Sequence, residues 1–147
     1  MALAYWIAPE SQVVVVRGRG TVTEREALGL RYSLNTNPKF SSSFRELIDH
    51  RLVTKVEVSA EGVKRLGMLN PYRTGSRRAL VATDEGVYRL ARRGESVWDD
   101  ASQVEVFSAW PDALDWLSLT EGDLPIGEPE WSSEFGLHWS SLQAPAT

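Results

Sequence analysis

Arginine, the side chain best suited to binding anions, is concentrated in one stretch of this chain. Its planar guanidinium can pair with a carboxylate or a phosphate through two parallel hydrogen bonds. The stretch between residues 73 and 93 contains no lysine and six arginines: Arg73, Arg77, Arg78, Arg89, Arg92 and Arg93. We interpret the cluster either as a surface that pairs with acidic residues of the same chain or as an anion-binding patch for an acidic or phosphorylated partner.

Ser59 is a candidate phosphorylation site because it immediately precedes a predicted helix. A serine in this position usually caps the helix by accepting a hydrogen bond from a backbone N–H group, which contributes about 1 kcal/mol. A phosphate there would be attracted by the helix dipole but repelled by Glu57 and Glu61. The cap is the simpler interpretation, and phosphorylation is the alternative.

The sequence contains no complete catalytic, nucleotide-binding or metal-binding set. Asp49 and His50 are adjacent on a predicted strand, so they point to opposite faces and Asp49 cannot orient His50 as a base. Gly18-Arg19-Gly20 lacks the third glycine of a dinucleotide loop, and Asp99-Asp100 supplies too few oxygens for calcium. We therefore expect no catalytic residue, no metal site, no cofactor and no enzymatic activity.

Composition indicates one globular domain. The 147 residues, 42% apolar and 24% charged, suit a single hydrophobic core. The absence of cysteine excludes disulfides, zinc–thiolate sites and thiol catalysis. We expect a cytoplasmic protein, because the sequence shows neither a signal peptide nor the ~18 apolar residues of a membrane span. Nucleic acid is not an expected partner, since the chain is acidic overall and has no reader motif.

Charge is distributed unevenly along the chain. Residues 1–93 contain all 16 lysines and arginines and 9 acidic residues, whereas residues 94–147 contain the other 11 acidic residues. Either the two signs attract each other within one fold, or an acidic tail competes with an acidic partner for the basic surface.

Hydrophobic periodicity predicts an opening hairpin followed by alternating helices and strands. Strands at 3–8 and 12–17 form the hairpin, and Val13–Val16 is apolar on both faces, as in a central strand covered on each side. Gly18-Arg19-Gly20 is expected to break that strand. Thr23 and Glu26 form a capping box at the start of the first helix, which ends at Asn37-Pro38.

The remaining elements complete a layered α/β architecture. Further strands are predicted at 44–50, 78–83 and 103–107, with 55–58 as an edge or connector, and further helices after Ser59, at 85–93 and after Pro111. The order ββαβαβαβα indicates a mixed, mostly parallel five-stranded sheet with flanking helices.

The C-terminal residues differ in character from the rest. We predict a domain at 1–119 and an acidic, tryptophan-containing tail at 120–147. Trp131, Phe135 and Trp139 recur every four residues in this tail. They either pack on the domain or anchor the tail to another protein or subunit, since clustered aromatic side chains favour interfaces.

The order and separation of these pieces resemble the SpoIIAA-like, or STAS-like, domains of bacteria. The resemblance is carried by residues 20–24, 37–40, 44–49, 78–81, 106–107 and 113–117. It implies a small sheet with helices packed around it and a role in signalling, ligand binding or partner docking. Well-known relatives are anti-sigma-factor antagonists that are switched by phosphorylation of a serine preceded by aspartate, whereas Ser59 is preceded by Val58.

The resemblance, together with the absence of a complete catalytic set, implies a non-catalytic STAS-like regulatory or binding module. We expect it to dock an unidentified protein partner in bacterial signalling, or to form a homodimer. The alternative is a carrier or sensor of a small apolar or lipid-like ligand, which predicts a concave apolar pocket of at least ~300 Å³.

Overall fold

Helices cover both faces of a six-stranded sheet in the computed structural model, which describes residues 2–95 and 103–134. The strands are β1 (Ala2–Ala8), β2 (Val13–Thr23), β3 (Arg45–Glu57), β4 (Arg77–Ala82), β5 (Gln103–Phe107) and β6 (Trp131–Ser132). The α-helices are α1 (Glu24–Thr36), α2 (Ala60–Met68), α3 (Glu85–Glu95) and α4 (Trp110–Leu117). A short 3-10 helix follows at Glu121–Asp123.

The sheet is mixed and mostly parallel, as predicted. Its spatial order is β5-β4-β3-β2-β1-β6, with β2 to β5 parallel and with β1 antiparallel to both β2 and β6. In the central strand β2, Val14 and Val16 face one core, while Val13 and Val15 face the other. The four consecutive valines are therefore buried on both faces of the sheet.

The two faces are covered by different elements. On one face, α1 contributes Leu30 and Leu34, and α3 contributes Val87. On the other face, α4 contributes Leu114 and Leu117. The capping box of α1 is confirmed, because the Glu26 N–H donates to Thr23 Oγ1 (3.2 Å) and the Thr23 N–H donates to Glu26 Oε1 (3.1 Å).

Two strands are longer than the sequence suggested. β2 continues through Gly18 and Gly20 to Thr23, with register shifts between Arg17 and Arg19 and between Gly20 and Thr21. These irregularities accommodate the glycines that were expected to break the strand. A Cβ atom at Gly18 would lie 2.9 Å from Val53 Cγ2, so glycine lets β3 approach closely. The predicted segments 44–50 and 55–58 are one strand, since the second half of β3 pairs with residues 19–23 of β2.

The first part of the predicted tail belongs to the fold and supplies the sixth strand. Trp131 lies opposite Tyr5 of β1 and packs against the core above Gly29. Leu124 is buried under the α4 face, and the Trp6 indole N–H donates to the Gly127 carbonyl (3.0 Å). Phe135 and Trp139 lie outside the described residues.

Ion pairs also join residues 120–134 to the rest of the fold. Lys39 pairs with Glu130 (3.0 Å), and Arg19 pairs with Glu134 (3.9 Å). Both contacts are partly exposed to solvent, which limits their individual contribution to stability. They support the interpretation in which the basic and acidic regions attract each other within one fold.

Removal of residues 120–134 is expected to destabilise the domain. A chain ending at Leu119 should unfold with a free energy at least about 2 kcal/mol lower than a chain ending at Glu134, because burial of a leucine such as Leu124 alone contributes about 1.5–3 kcal/mol. Urea denaturation of the two chains measures the difference. Equal midpoints and slopes would mean that residues 120–134 do not belong to the cooperative unit.

Candidate functional site

A cavity of about 360 Å³ lies between the sheet and the helices α1 and α2. Its floor includes Val16, Ile48 and Leu80 of the central strands, and Ala27 and Leu66 border it from the helices. A second lobe of about 120 Å³ adjoins it on the side of α3. The two lobes share five lining residues: Val22, Ala27, His50, Leu66 and Leu80. We call the two lobes together the helix–sheet cavity.

The cavity exists because α2 does not pack down onto the sheet. Gly62 is the buried residue of this helix, while Val63 and Leu66 on its apolar side stay half-buried. Leu90 and Ala91 of α3 are also half-buried and line the second lobe. These apolar side chains face a void where a filled core would be the rule.

Polar contacts with α1 hold both ends of α2. At the N-terminus, the Ser59 backbone N–H and hydroxyl both donate to Glu24 Oε1, at 3.0 and 2.8 Å. A Cβ atom at Gly62 would collide with that oxygen, so glycine makes room for the Glu24 carboxylate. At the other end, Asn35 Nδ2 donates to the Leu69 carbonyl (3.1 Å). The middle of α2 therefore spans the cavity between two anchored ends.

A buried ion-pair network forms one end of the cavity, centred on Glu46 of β3, which is 0% exposed. Arg31 of α1 donates to both Glu46 carboxylate oxygens, at 2.8 and 3.0 Å. Arg78 of β4 donates to Oε1 at 3.0 and 3.1 Å, and the Tyr72 hydroxyl donates to Oε2 at 2.8 Å. Asn70 lines the same end, together with Arg31, Tyr72 and Arg78.

The carboxylate of Glu46 stays ionised because of its partners in the network. Burial alone would raise the pKa of Glu46, but the attraction of Arg31 and Arg78 and the hydrogen bonds from Arg31 and Tyr72 outweigh it and lower this pKa to about 2. The pKa of Tyr72 is raised well above its usual value by burial and by the Glu46 charge, so the phenol stays neutral. Two guanidinium groups thus face one carboxylate.

His50 lies at the junction of the two lobes. It follows Ile48 on the inward side of β3 and lines both lobes. Its Nδ1 atom is buried and has no hydrogen-bond partner among the described residues. Burial lowers the pKa of His50 and outweighs the nearby acidic groups that would raise it, so the ring is neutral near pH 7.

Asp49 points to the opposite face of the sheet, as the alternation along a strand predicts. There it pairs with Arg51 (3.0 Å) and Arg17 (3.4 Å), and the Arg51 guanidinium lies 3.7 Å from the centre of the Trp110 ring. Asp49 therefore belongs to an ion-pair cluster under α4 and does not orient His50.

This arrangement of strands and helices is also found in a solved structure. It is an uncharacterized protein of the DUF3478 family with a SpoIIAA-like fold, from Shewanella loihica PV-4. The superposition has a TM-score of 0.51 and covers 71% of this chain and 83% of the other, with 18% sequence identity. The fold of this chain is SpoIIAA-like.

The match confirms the fold that the sequence resemblance implied, and at this identity it shows the fold alone. No protein-family model matches the sequence. No curated protein matches it either.

The arginine cluster does not form one surface on the SpoIIAA-like fold. Arg78 is 3% exposed and belongs to the Glu46 network, so its assignment to an exposed patch is wrong. Arg77, its neighbour on β4, points to the other face and donates to the Trp116 carbonyl (2.7 Å). Arg77 and Arg78 are separated because adjacent side chains of a β-strand point to opposite faces of the sheet. Arg77 is exposed on that face, and the other four arginines are exposed as well: Arg73, Arg89, Arg92 and Arg93.

Ser59 is an exposed N-cap, and its hydroxyl accepts a hydrogen bond from the Gly62 N–H (3.0 Å). The same hydroxyl donates to Glu24, whose pKa is lowered by the Ser59 side chain and backbone. A phosphate on Ser59 would remove that donor and face the Glu24 carboxylate. Phosphorylation of Ser59 stays a prediction, with the expected effect of weakening the contact between α1 and α2.

Sequence reasoning did not identify Arg31, Glu46, Asn70 and Tyr72 as site residues, although two of them carry a signal. Arg31 follows Ala27 by four residues and therefore lies on the apolar stripe of α1. Glu46 occupies an inward position of a buried strand, two residues before Ile48. A charge at an inward position requires a partner, and two such charges of opposite sign predict a pair.

Two further findings concern the part of the chain that the structure describes. Across residues 2–95 and 103–134, no helix is long and apolar enough to cross a membrane. Within the same ranges, no group of three or more acidic or histidine side chains is arranged to hold a metal ion. The paired residues Asp99-Asp100 lie outside these ranges.

Proposed function

We propose that this SpoIIAA-like chain is a binding module, not an enzyme, and that it binds a small, largely apolar molecule in the helix–sheet cavity. The observation that supports this proposal is the cavity itself. Its main lobe of about 360 Å³ falls within the ~300–1,000 Å³ typical of ligand pockets. Its lining is mostly apolar, with a few polar groups gathered at one end, as such pockets usually are.

The partial burial of apolar side chains on α2 and α3 supports the same proposal. Val63 and Leu66 of α2 and Leu90 of α3 are half-buried although they point toward the interior. A ligand between the helices and the sheet would cover these side chains and remove their apolar surface from water, at about 25 cal/mol per Å². Because α2 is held chiefly at its ends, displacement of this helix offers an entry path.

Docking of a protein partner in bacterial signalling is the second candidate function. Two large apolar side chains are exposed on the helices that border the cavity, Tyr32 on α1 (60%) and Met68 at the end of α2 (84%). A partner that binds these helices would respond to the position of α2. Ligand binding and partner docking are thus compatible, and the cavity favours ligand binding as the primary function.

Filling the cavity is expected to abolish ligand binding. Ala27 lines both lobes, so the phenyl ring of Ala27→Phe should occupy the void. N-phenyl-1-naphthylamine, an uncharged apolar fluorophore, serves as the probe. We expect saturable binding to the unmodified chain and at least about tenfold weaker binding to Ala27→Phe, since the added ring excludes the probe.

Ala60→Phe is the matched control, because it adds the same ring at an exposed position of α2. It should bind the fluorophore like the unmodified chain, while circular dichroism confirms that both variants are folded. Absence of saturable binding to the unmodified chain, or equal binding by both variants, would refute the proposed site.

A further inference from the structure

We propose that the sheet edge beside α1 is a docking site for an extended, acidic, tryptophan-containing segment of a partner protein. In this structure residues 130–134 occupy the site as an internal competitor of that partner. We call the site the β1 groove; it is bordered by the outer edge of β1 and by Glu26, Gly29 and Tyr32 of α1. The proposal goes beyond the helix–sheet cavity and does not depend on ligand binding there.

The main chain of residues 130–134 binds the β1 groove as an added strand. The Glu130 N–H donates to the Tyr5 carbonyl (2.9 Å), and the Ser133 N–H donates to the Leu3 carbonyl (2.8 Å). The Leu3 N–H in turn donates to Ser133 Oγ (2.9 Å). Addition of a strand to a sheet edge is a general mode of peptide recognition, because backbone hydrogen bonds supply affinity for an extended segment.

The strand β6 uses only part of the edge that β1 offers. All seven residues of β1 pair with β2, whereas within the described ranges β6 pairs only with Ala4 and Tyr5. A partner strand that pairs along more of β1 would form more backbone hydrogen bonds than β6 does. Such a strand would therefore displace residues 130–134 from the groove.

An aromatic anchor is the first feature that the β1 groove selects. Trp131 lies over Gly29, where a Cβ atom would be 3.2 Å from the indole ring, so glycine leaves a slot for this side chain. An open groove of about 730 Å³ continues beside the indole and is bordered by Leu28 and Tyr32. Tyr32 is 60% exposed, so a partner finds apolar surface beyond that which Trp131 covers. Tryptophan is among the strongest anchors of protein interfaces.

Acidic residues on both sides of the tryptophan are the second feature. Glu130 pairs with Lys39 (3.0 Å), and Glu134 pairs with Arg19 (3.9 Å). Glu26 accepts a hydrogen bond from a serine hydroxyl of the same segment (2.7 Å), so a serine side chain is matched as well. Because the ion pairs are partly exposed, the carboxylates of a partner can replace those of the segment at little cost.

The connection to the rest of the fold allows the segment to leave the groove. After the buried Leu124, the connector contains Pro125 and Pro129, which donate no backbone hydrogen bond, and Ile126 is 92% exposed. The chain up to Leu124 can therefore stay packed while residues 130–134 detach. Because its tether is short, the segment competes with a partner at an effective concentration on the order of millimolar.

Binding of a labelled peptide to the full-length chain tests the proposal. The probe is the fluorescein-labelled peptide EPEWSSE, which repeats residues 128–134, and fluorescence anisotropy measures its binding. Trp131→Ala removes the anchor of the internal segment, so this variant should bind the peptide at least about tenfold more tightly than the unmodified chain does. Ile126→Ala is the matched control in the exposed connector and should bind as weakly as the unmodified chain.

A second substitution locates the peptide. Adding Gly29→Val to the Trp131→Ala chain fills the slot and should abolish binding, as should replacement of the peptide tryptophan by alanine. No binding to Trp131→Ala, or equal binding after Gly29→Val, would refute the proposal. If the unmodified chain sediments as a dimer and Trp131→Ala as a monomer, the occupant is a second copy and the foreign partner is refuted. All these outcomes leave the naphthylamine test of the helix–sheet cavity unaffected.

Hydrogen exchange of the unmodified chain gives a test that needs no folded variant. A segment that can be displaced must open without global unfolding of the domain. The amides of Glu130 and Ser133 should therefore exchange at least about 100-fold faster than the amide of Val15 in the central strand β2. Equal exchange rates would mean that the segment opens only when the whole domain unfolds, which would overturn the proposal.

Discussion

Replacement of Glu46 by glutamine is expected to lower the free energy of unfolding by about 3–5 kcal/mol, the usual cost of removing one partner from a buried ion pair. Glutamine has nearly the shape of glutamate but no charge. The guanidinium groups of Arg31 and Arg78 would then remain buried with no carboxylate between them. The loss arises mainly because both buried guanidinium groups lose the charge of Glu46 and less from the hydrogen bonds themselves.

Urea denaturation at pH 7 measures this loss. Glu57→Gln is the matched control, because Glu57 lies on the same strand with its side chain 51% exposed and pairs only at the surface with Lys55 (3.2 Å). The control should change the free energy of unfolding by no more than about 0.5 kcal/mol. Equal stability of Glu46→Gln and the unmodified chain would show that the network does not stabilise the fold.

Most of the layered architecture could be predicted from the sequence, because the signals for it are local. The capping residues Thr23 and Glu26, the end of α1 at Asn37, and the four consecutive valines of β2 each depend on near neighbours in the chain. Each is reproduced in the structure. The strand order could be inferred only from the resemblance and from general rules of connection.

The helix–sheet cavity could not be predicted in the same way, because it depends on the distance between α2 and the sheet. The sequence of α2 has a normal apolar side, with Val63 and Leu66, and would fit a helix packed on a sheet equally well. The position of α2 is fixed instead by hydrogen bonds to Glu24 and Asn35 of α1. Those contacts join residues about 35 positions apart, so no local pattern reveals them.

The ion-pair network could not be predicted for a related reason. Arg78 lies close in sequence to five other arginines, yet its partner Glu46 lies 32 residues away, on a neighbouring strand. The register of β3 and β4, which places Glu46 opposite Arg78, is a property of the assembled sheet. The concentration of arginines along the chain therefore predicts an anion-binding surface, whereas in the structure Arg78 forms a buried ion pair with Glu46.

The contribution of Glu46 to stability should disappear in acid. Its folded-state pKa of about 2 is below its usual value of 4.5, so the folded chain holds the Glu46 proton less tightly than the unfolded chain does. The stabilisation is therefore fully present above pH 4.5 and is lost as the pH falls toward 2. Each pKa unit corresponds to 1.36 kcal/mol, so the amount lost is about 3 kcal/mol.

The difference in stability between the unmodified chain and Glu46→Gln isolates this titration. Other carboxylates, including Glu24 and Asp123 with their lowered pKa values, titrate in both proteins and cancel in the difference. Once Glu46 is protonated it is neutral, as glutamine is, and the two proteins should then unfold with similar free energies. We expect the difference to be constant from pH 7 to pH 5 and to shrink by about 3 kcal/mol toward pH 2. A difference that persists unchanged at pH 2 would mean that the charge of Glu46 is not what stabilises the network.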